Sequence, residues 1–216
     1  MKNINKVIEV LILSDMALLA GMGFLTPIFA IFLTQNIHGA TIQTAGLAAG
    51  IYWVVNSLAM IPIGKYLDKR EGERDDLLAV ILGNILTALA ALGYIFSREP
   101  WHIYLLQALY GFGMALNIPA YTAIFSRHLN KGKEAYSWGF WGAATGIVIG
   151  IAEGVGGIIA QRFGFNILFI AAAVIVLASA ALLFLIYKEM KKKDKGAVLF
   201  LPGIIPKQVE LPKSND

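Results

Sequence analysis

Six long apolar stretches, separated by polar or charged breaks, constrain this chain more than any other feature. They run Val7–Thr34, Thr41–Gly64, Leu77–Phe96, Ile103–Phe125, Ser137–Ala160 and Asn166–Tyr187. An α-helix needs roughly 20 apolar residues to cross about 30 Å of hydrocarbon, and most of the stretches are near that length. The first is longer, which tilt or an interfacial start accommodates. None shows the sustained alternation of a membrane strand. Charged residues make up only 15% of the 216 residues, against about 25% in soluble domains, too few to cover a soluble surface of this size. The fold class expected is therefore an all-α polytopic membrane protein with six transmembrane helices. Met1–Lys6 runs straight into the first apolar stretch without a cleavage site, so the first span is expected to be uncleaved. Cys is absent, which excludes disulfides, thiolate metal sites and Cys nucleophiles.

Loop charge gives the expected orientation. Of the 18 Lys and Arg, only Arg98 and Arg162 fall on one side of the six stretches. The others lie at the N-terminus, after the second and fourth stretches, and in the tail. By the positive-inside rule both termini are cytoplasmic in the plasma membrane. This bias and contact with anionic lipid heads account for the net charge of +4 without a nucleic-acid partner. Trp101 and Tyr104 are expected in one aromatic belt, and Tyr136, Trp138 and Trp141 in the other. Residues 191–216, with a Lys run and three prolines, are expected to form a mobile cytoplasmic tail, its Ala197–Ile205 segment touching the membrane surface.

Several residues inside the spans call for an explanation. Asp15 and Glu153 lie near mid-membrane, where an ionised acid costs about 2.5–3.5 kcal/mol even on the gentler insertion scale. No Lys, Arg or His lies deep in any span. Each acid is therefore either a neutral hydrogen-bonded group or one that titrates, meets a cation, or meets another chain. Asn56, Asn84, Gln107 and Asn117 add amides that either glue helices together or contact a solute. Gly142, Gly146, Gly150 and Gly154 recur every four residues, followed by Gly156 and Gly157. They form a groove for close helix approach, either within the bundle or at a sliding or dimer interface. Pro27, Pro62 and Pro119 each remove a helix hydrogen bond and favour a kink.

Four motifs resemble the N-terminal half of Major Facilitator Superfamily transporters, over roughly residues 7–190. The first is Gly21-Met-Gly23-Phe-Leu-Thr-Pro27, similar to the first helix of drug and metabolite efflux members. The second is the loop Gly64-Lys-Tyr-Leu-Asp68-Lys69-Arg70-Glu71-Gly72-Glu73-Arg74. It resembles the family's signature loop, with one extra residue before Gly72 and Glu73 in place of a basic residue. The third, Gln107-Ala-Leu-Tyr-Gly111-Phe-Gly113, has the spacing of the family's Arg-to-Gly-x-Gly motif, with Gln107 in the Arg position. The fourth, Ala152-Glu153-Gly154-Val155-Gly156-Gly157, resembles the antiporter glycine motif, with Glu153 in the proline position.

The resemblance implies half of a two-bundle fold with the solute cavity between the bundles. It also implies transport of a small solute by alternating access. Asp15, Glu153, Asn56, Gln107 and Asn117 are the coupling or substrate candidates, and Asp15 or Glu153 would replace the helix-4 Arg in proton coupling. Gly64, Asp68, Lys69, Gly72 and Arg74 form the signature loop. Gly142, Gly146, Gly150, Gly154, Gly157, Pro27 and Pro119 are packing or gating positions.

One half needs another. The expected partners are the bilayer, a small solute and either a second copy in a parallel homodimer or a separate six-helix half. The alternatives are a split or non-functional fragment of a twelve-helix transporter, and a membrane scaffold or assembly protein. An enzyme is not expected. Ser14, Ser57 and Ser179 are buried candidates, but His38, His102 and His128 lie at span ends, and no phosphate-binding loop or metal-ligand spacing appears. No cofactor is expected.

Overall fold

A computed structural model describes residues 6–69 and 72–190; Arg70, Glu71 and the whole predicted tail, with Ala197–Ile205, lie outside the described residues. The described chain is helical throughout. Its helices are α1 (Lys6–Gly23), α2 (Phe29–Asn36), α3 (Ile42–Asp68), α4 (Glu73–Gly93), α5 (Pro100–Arg127) and α6 (Glu134–Leu183). Five helical stretches are long and apolar enough to cross a membrane, the first combining α1 and α2.

Pro27 divides the first stretch. α1 ends at Gly23, a 3₁₀ turn covers Thr26–Ile28, and α2 begins at Phe29. A missing proline N–H and a ring clash with the preceding turn explain the break. α3 and α5, by contrast, continue as helix through Pro62 and Pro119.

α6 covers 50 residues but is not straight, because Gly164 adopts φ 81° and ψ 169°. Two helical arms, 134–163 and 165–183, meet there. Trp141 bonds Asp15, Ala152 and Ile149 approach Gly23, and Gly156 meets Phe24. The first arm therefore climbs α1 from residue 15 to 24. The second descends it, with Ala172 and Val176 against Gly21 and Ser179 against Ser14. The arms are antiparallel, and both pack on α1.

Helices in lipid gain no hydrophobic drive from one another, so close packing of small residues holds them together. The buried seams are accordingly rich in Ala88, Ala91, Ala115, Ala120, Ala172 and Ala173, each at most 1% exposed. The apolar core falls into two clusters. One includes Leu11, Leu77, Ile124, Phe125 and Leu183; the other includes Leu18, Phe32, Ile103, Leu168 and Phe169. A polar layer separates them. α3 is the peripheral helix, resting on α5 and leaving Trp53, Val54, Leu58 and Ile61 exposed.

Candidate functional site

The polar layer crosses four helical elements. Asn117 on α5 donates to Asn84 Oδ1 on α4 at 2.6 Å. Asn84 in turn donates to Ser179 Oγ on the second arm of α6 at 2.9 Å. Ser179 Oγ donates to the Val176 carbonyl at 2.7 Å, and Ser14 Oγ of α1 donates to the Ser179 carbonyl at 2.9 Å. Each amide thus finds a partner where no water competes, and each such bond is worth about 0.6 kcal/mol on average between membrane helices. Asn56 is likewise bonded, its Nδ2 donating to the Gly111 carbonyl at 3.2 Å. Asn56 and Asn117 therefore tie helices.

Asp15 stands one residue beyond Ser14, 8% exposed. Its Oδ2 accepts from the Trp141 indole N–H at 2.8 Å. No Lys, Arg or His among the described residues pairs with it. The Tyr121 hydroxyl is buried beside the same Trp141 indole. Trp141, expected in an aromatic belt, is turned into the bundle instead. It packs with Trp138 against the first apolar cluster, because the carboxylate offers its N–H an acceptor.

Glu153 is not brought to Asp15. It lies twelve residues along the arm from Trp141, about 18 Å of helical rise. It is half-buried on the arm that carries the glycine stripe. A Cβ placed at Gly142, Gly146, Gly150, Gly154 or Gly157 meets no atom within 4 Å. The stripe therefore does not pack inside the described bundle. The glycine that does is Gly156, off the four-residue register, whose added Cβ would stand 2.7 Å from Phe24 Cα.

The signature loop divides similarly. A Cβ added at Gly64 would meet no atom within 4 Å, Asp68 and Lys69 are exposed, and Gly72 caps α4 in an extended conformation. Arg74 reaches the segment after the second arm of α6, donating from Nε to the Met190 carbonyl at 3.3 Å and lying 5.1 Å from the centre of the Tyr187 ring. Nearby, Arg127 pairs with the buried Asp76, and Lys6 with Glu189. Neither pair was read from the sequence.

Gln107 opens onto a cavity of about 350 Å³ between the α1–α2 turn, α3 and α5. Phe29, Tyr52, Trp53, Tyr94 and Tyr110 form its aromatic wall. Tyr52 and Tyr110 stack at 4.5 Å, and Phe29 meets Tyr94 edge-on at 5.4 Å. These aromatics sit on four separate elements, so only the folded chain assembles them. The one local signal is Tyr110, three residues beyond Gln107 and on the same helix face. A second cavity, of about 430 Å³ between α3 and α4, is almost entirely apolar, with Asp75 at its edge.

Buried helices, a polar layer and an unpaired intramembrane carboxylate define an integral membrane bundle. The chain belongs to the Major Facilitator Superfamily, whose family model matches residues 11–208. It is 27% identical over 181 residues to the multi-drug resistance efflux pump PmrA homolog of Lactococcus lactis, covering 82% of this chain and 44% of that protein. To the inner membrane transport protein YajR of Escherichia coli it is 29% identical over 167 residues, 75% of this chain and 34% of that one. The chain thus spans half the length, or less, of these curated relatives. The crystal structure of the POT family transporter PepTSo shares the fold, with a TM-score of 0.68 at 11% identity, over 89% of this chain and 40% of that one.

Proposed function

We propose that this chain is a six-span half of a plasma-membrane solute transporter with both termini cytoplasmic. It works by alternating access against a second six-span unit, and the partner we favour is a second copy in a parallel dimer. The break at Gly164 supports counting α6 as two spans, since its arms run antiparallel along α1. The uncontacted glycines of the 134–163 arm and the exposed side of α3 support a partner on that side.

Asp15 carries the transport reading. A buried carboxylate held, among the described residues, by one indole N–H is suited to take up and release a proton. A hydrogen bond to an ionised acceptor is roughly twice as strong as a neutral one. Protonation therefore loosens the tie between α1 and the arm that carries the open glycines. Proton binding in the bundle is thereby linked to movement at the seam.

The decisive comparison is Asp15→Asn. The amide oxygen still accepts from Trp141, so the variant should fold with an unchanged thermal midpoint. In vesicles with an imposed pH gradient, a panel of small solutes should show gradient-driven flux in the wild type and at least a tenfold loss in the variant. Unchanged flux in Asp15→Asn, or no gradient-dependent flux of any compound, would sink the coupling role. For the dimer, Gly146→Cys and Gly150→Cys should each form disulfide-linked pairs in native membranes, while a Cys at Leu105 should not. Equal cross-linking at all three positions, or transport by a strictly monomeric chain, refutes the paired arrangement.

A further inference from the structure

The cavity beside Gln107 has an unusual balance of groups. Its wall is aromatic, and no charged side chain lines it. Its side-chain polar groups, on Thr26, Gln107, Tyr52, Tyr94, Tyr110 and Trp53, are all neutral. Thr26 Oγ1 already donates to the Met22 carbonyl at 3.2 Å. Gln107 is 7% exposed as a residue, and its side chain makes no hydrogen bond among the described residues. A carboxamide presents a donor and an acceptor side by side. That amide lines the cavity, so it is placed to meet a ligand edge of matching pattern.

We propose that this cavity binds a neutral, planar aromatic solute bearing an adjacent donor and acceptor, a lactam or carboxamide edge, which Gln107 reads. The proposal rests on the transport reading, for which it supplies the solute class. A volume of about 350 Å³ is at the small end of ligand pockets and suits one or two fused rings. The aromatic walls favour a flat ring by offset or edge-on contact. A permanent cation is disfavoured on two grounds. The Tyr52 and Tyr110 faces are turned on each other, leaving less ring face for a cation. The deep acids Asp15 and Glu153 are not in the lining, so a charged solute would lose its hydration without a counter-charge.

The test is direct binding by the full-length chain in lipid nanodiscs, with no flux required. 2-Quinolone is the neutral probe, and N-methylquinolinium is a cation of similar size and shape. Trp53, in the cavity wall, supplies the readout as the part of the fluorescence quench that Trp53→Phe removes. The expected result is saturable quenching by 2-quinolone and at least tenfold weaker binding of N-methylquinolinium. Gln107→Leu should weaken 2-quinolone at least tenfold, and Gln107→Glu should reverse the preference toward the cation. The proposal is overturned if the cation binds as tightly as 2-quinolone in the wild type. It is equally overturned by 2-quinolone quenching that is absent, that is linear with partitioning, or that survives in Trp53→Phe. Should Gln107→Leu fail to fold, the probe comparison in the wild type and the Gln107→Glu reversal still decide. Selective binding with no flux in any assay counts against the transport reading alone. Flux of other solutes with no selective binding here counts against this proposal alone.

Discussion

Gly156→Ala should lower the chain's stability by about 2–3 kcal/mol, at the upper end of what overpacking a close contact costs. The added methyl would stand 2.7 Å from Phe24 Cα and nearer still to the Phe24 carbonyl. Both obstacles are backbone, so no side-chain rotation relieves them. Either the 134–163 arm moves away from α1 or the turn after Gly23 shifts. The first movement also pulls Trp141 from Asp15, since both contacts join the same pair of helices. Gly150→Ala is the matched control. It has no atom within 4 Å, and replacing a helical Gly gains roughly 0.5–1 kcal/mol of backbone entropy. Thermal unfolding in detergent, followed by loss of the monodisperse species, should separate the two variants by several degrees in opposite directions. Equal midpoints would mean that Gly156 is not a packing contact.

This pair of glycines shows what a one-dimensional pattern carries. The four-residue recurrence from Gly142 to Gly154 marks a helix face, because that spacing stacks residues on one side of a helix. It does not say whether the face meets its own bundle or something outside it. Gly156, two residues off that face, makes the internal contact, and only the position of Phe24 after the α1 break reveals it. That the chain is built of long apolar helices was legible because crossing hydrocarbon sets a minimum length on its own. The deep acid at residue 15 was legible for the same reason. Its Trp141 partner was not, since a Trp near a span end reads equally as an interfacial belt residue. Ser14 and Ser179 drew notice only as hydroxyls for catalysis, whereas the fold spends both on hydrogen bonds between α1, α4 and α6. The aromatic cavity was the least legible feature, because its wall is built from residues that no local spacing connects.

Gly164→Ala should also be damaging, by a different mechanism. At φ 81° and ψ 169° the backbone sits in a region that is essentially reserved for glycine, and a side chain there costs of order 1–3 kcal/mol. The chain has two ways to respond. It can keep the antiparallel arms and carry the strain, or relax residue 164 into the helix. Relaxation turns α6 into one rod of 50 residues, about 75 Å long at 1.5 Å per residue. That is more than twice the roughly 30 Å hydrocarbon thickness. It would also remove Ser179 from Ser14 and Asn84, and Val176 from Gly21. Losing those contacts costs more than the strain, so the arms should stay folded back and the variant should be destabilised by about 1–3 kcal/mol. Gly154→Ala, on the same helix with nothing near it, should leave the midpoint unchanged or raised. Topology gives the second readout. Single Cys residues replacing Lys133 and Lys188, at opposite ends of the folded-back pair, should both be labelled by an impermeant reagent from the same side of sealed vesicles. They should remain so in the Gly164→Ala background. Labelling from opposite sides in the wild type would overturn the six-span count, and an unchanged midpoint in Gly164→Ala would show that residue 164 carries no positive-φ constraint.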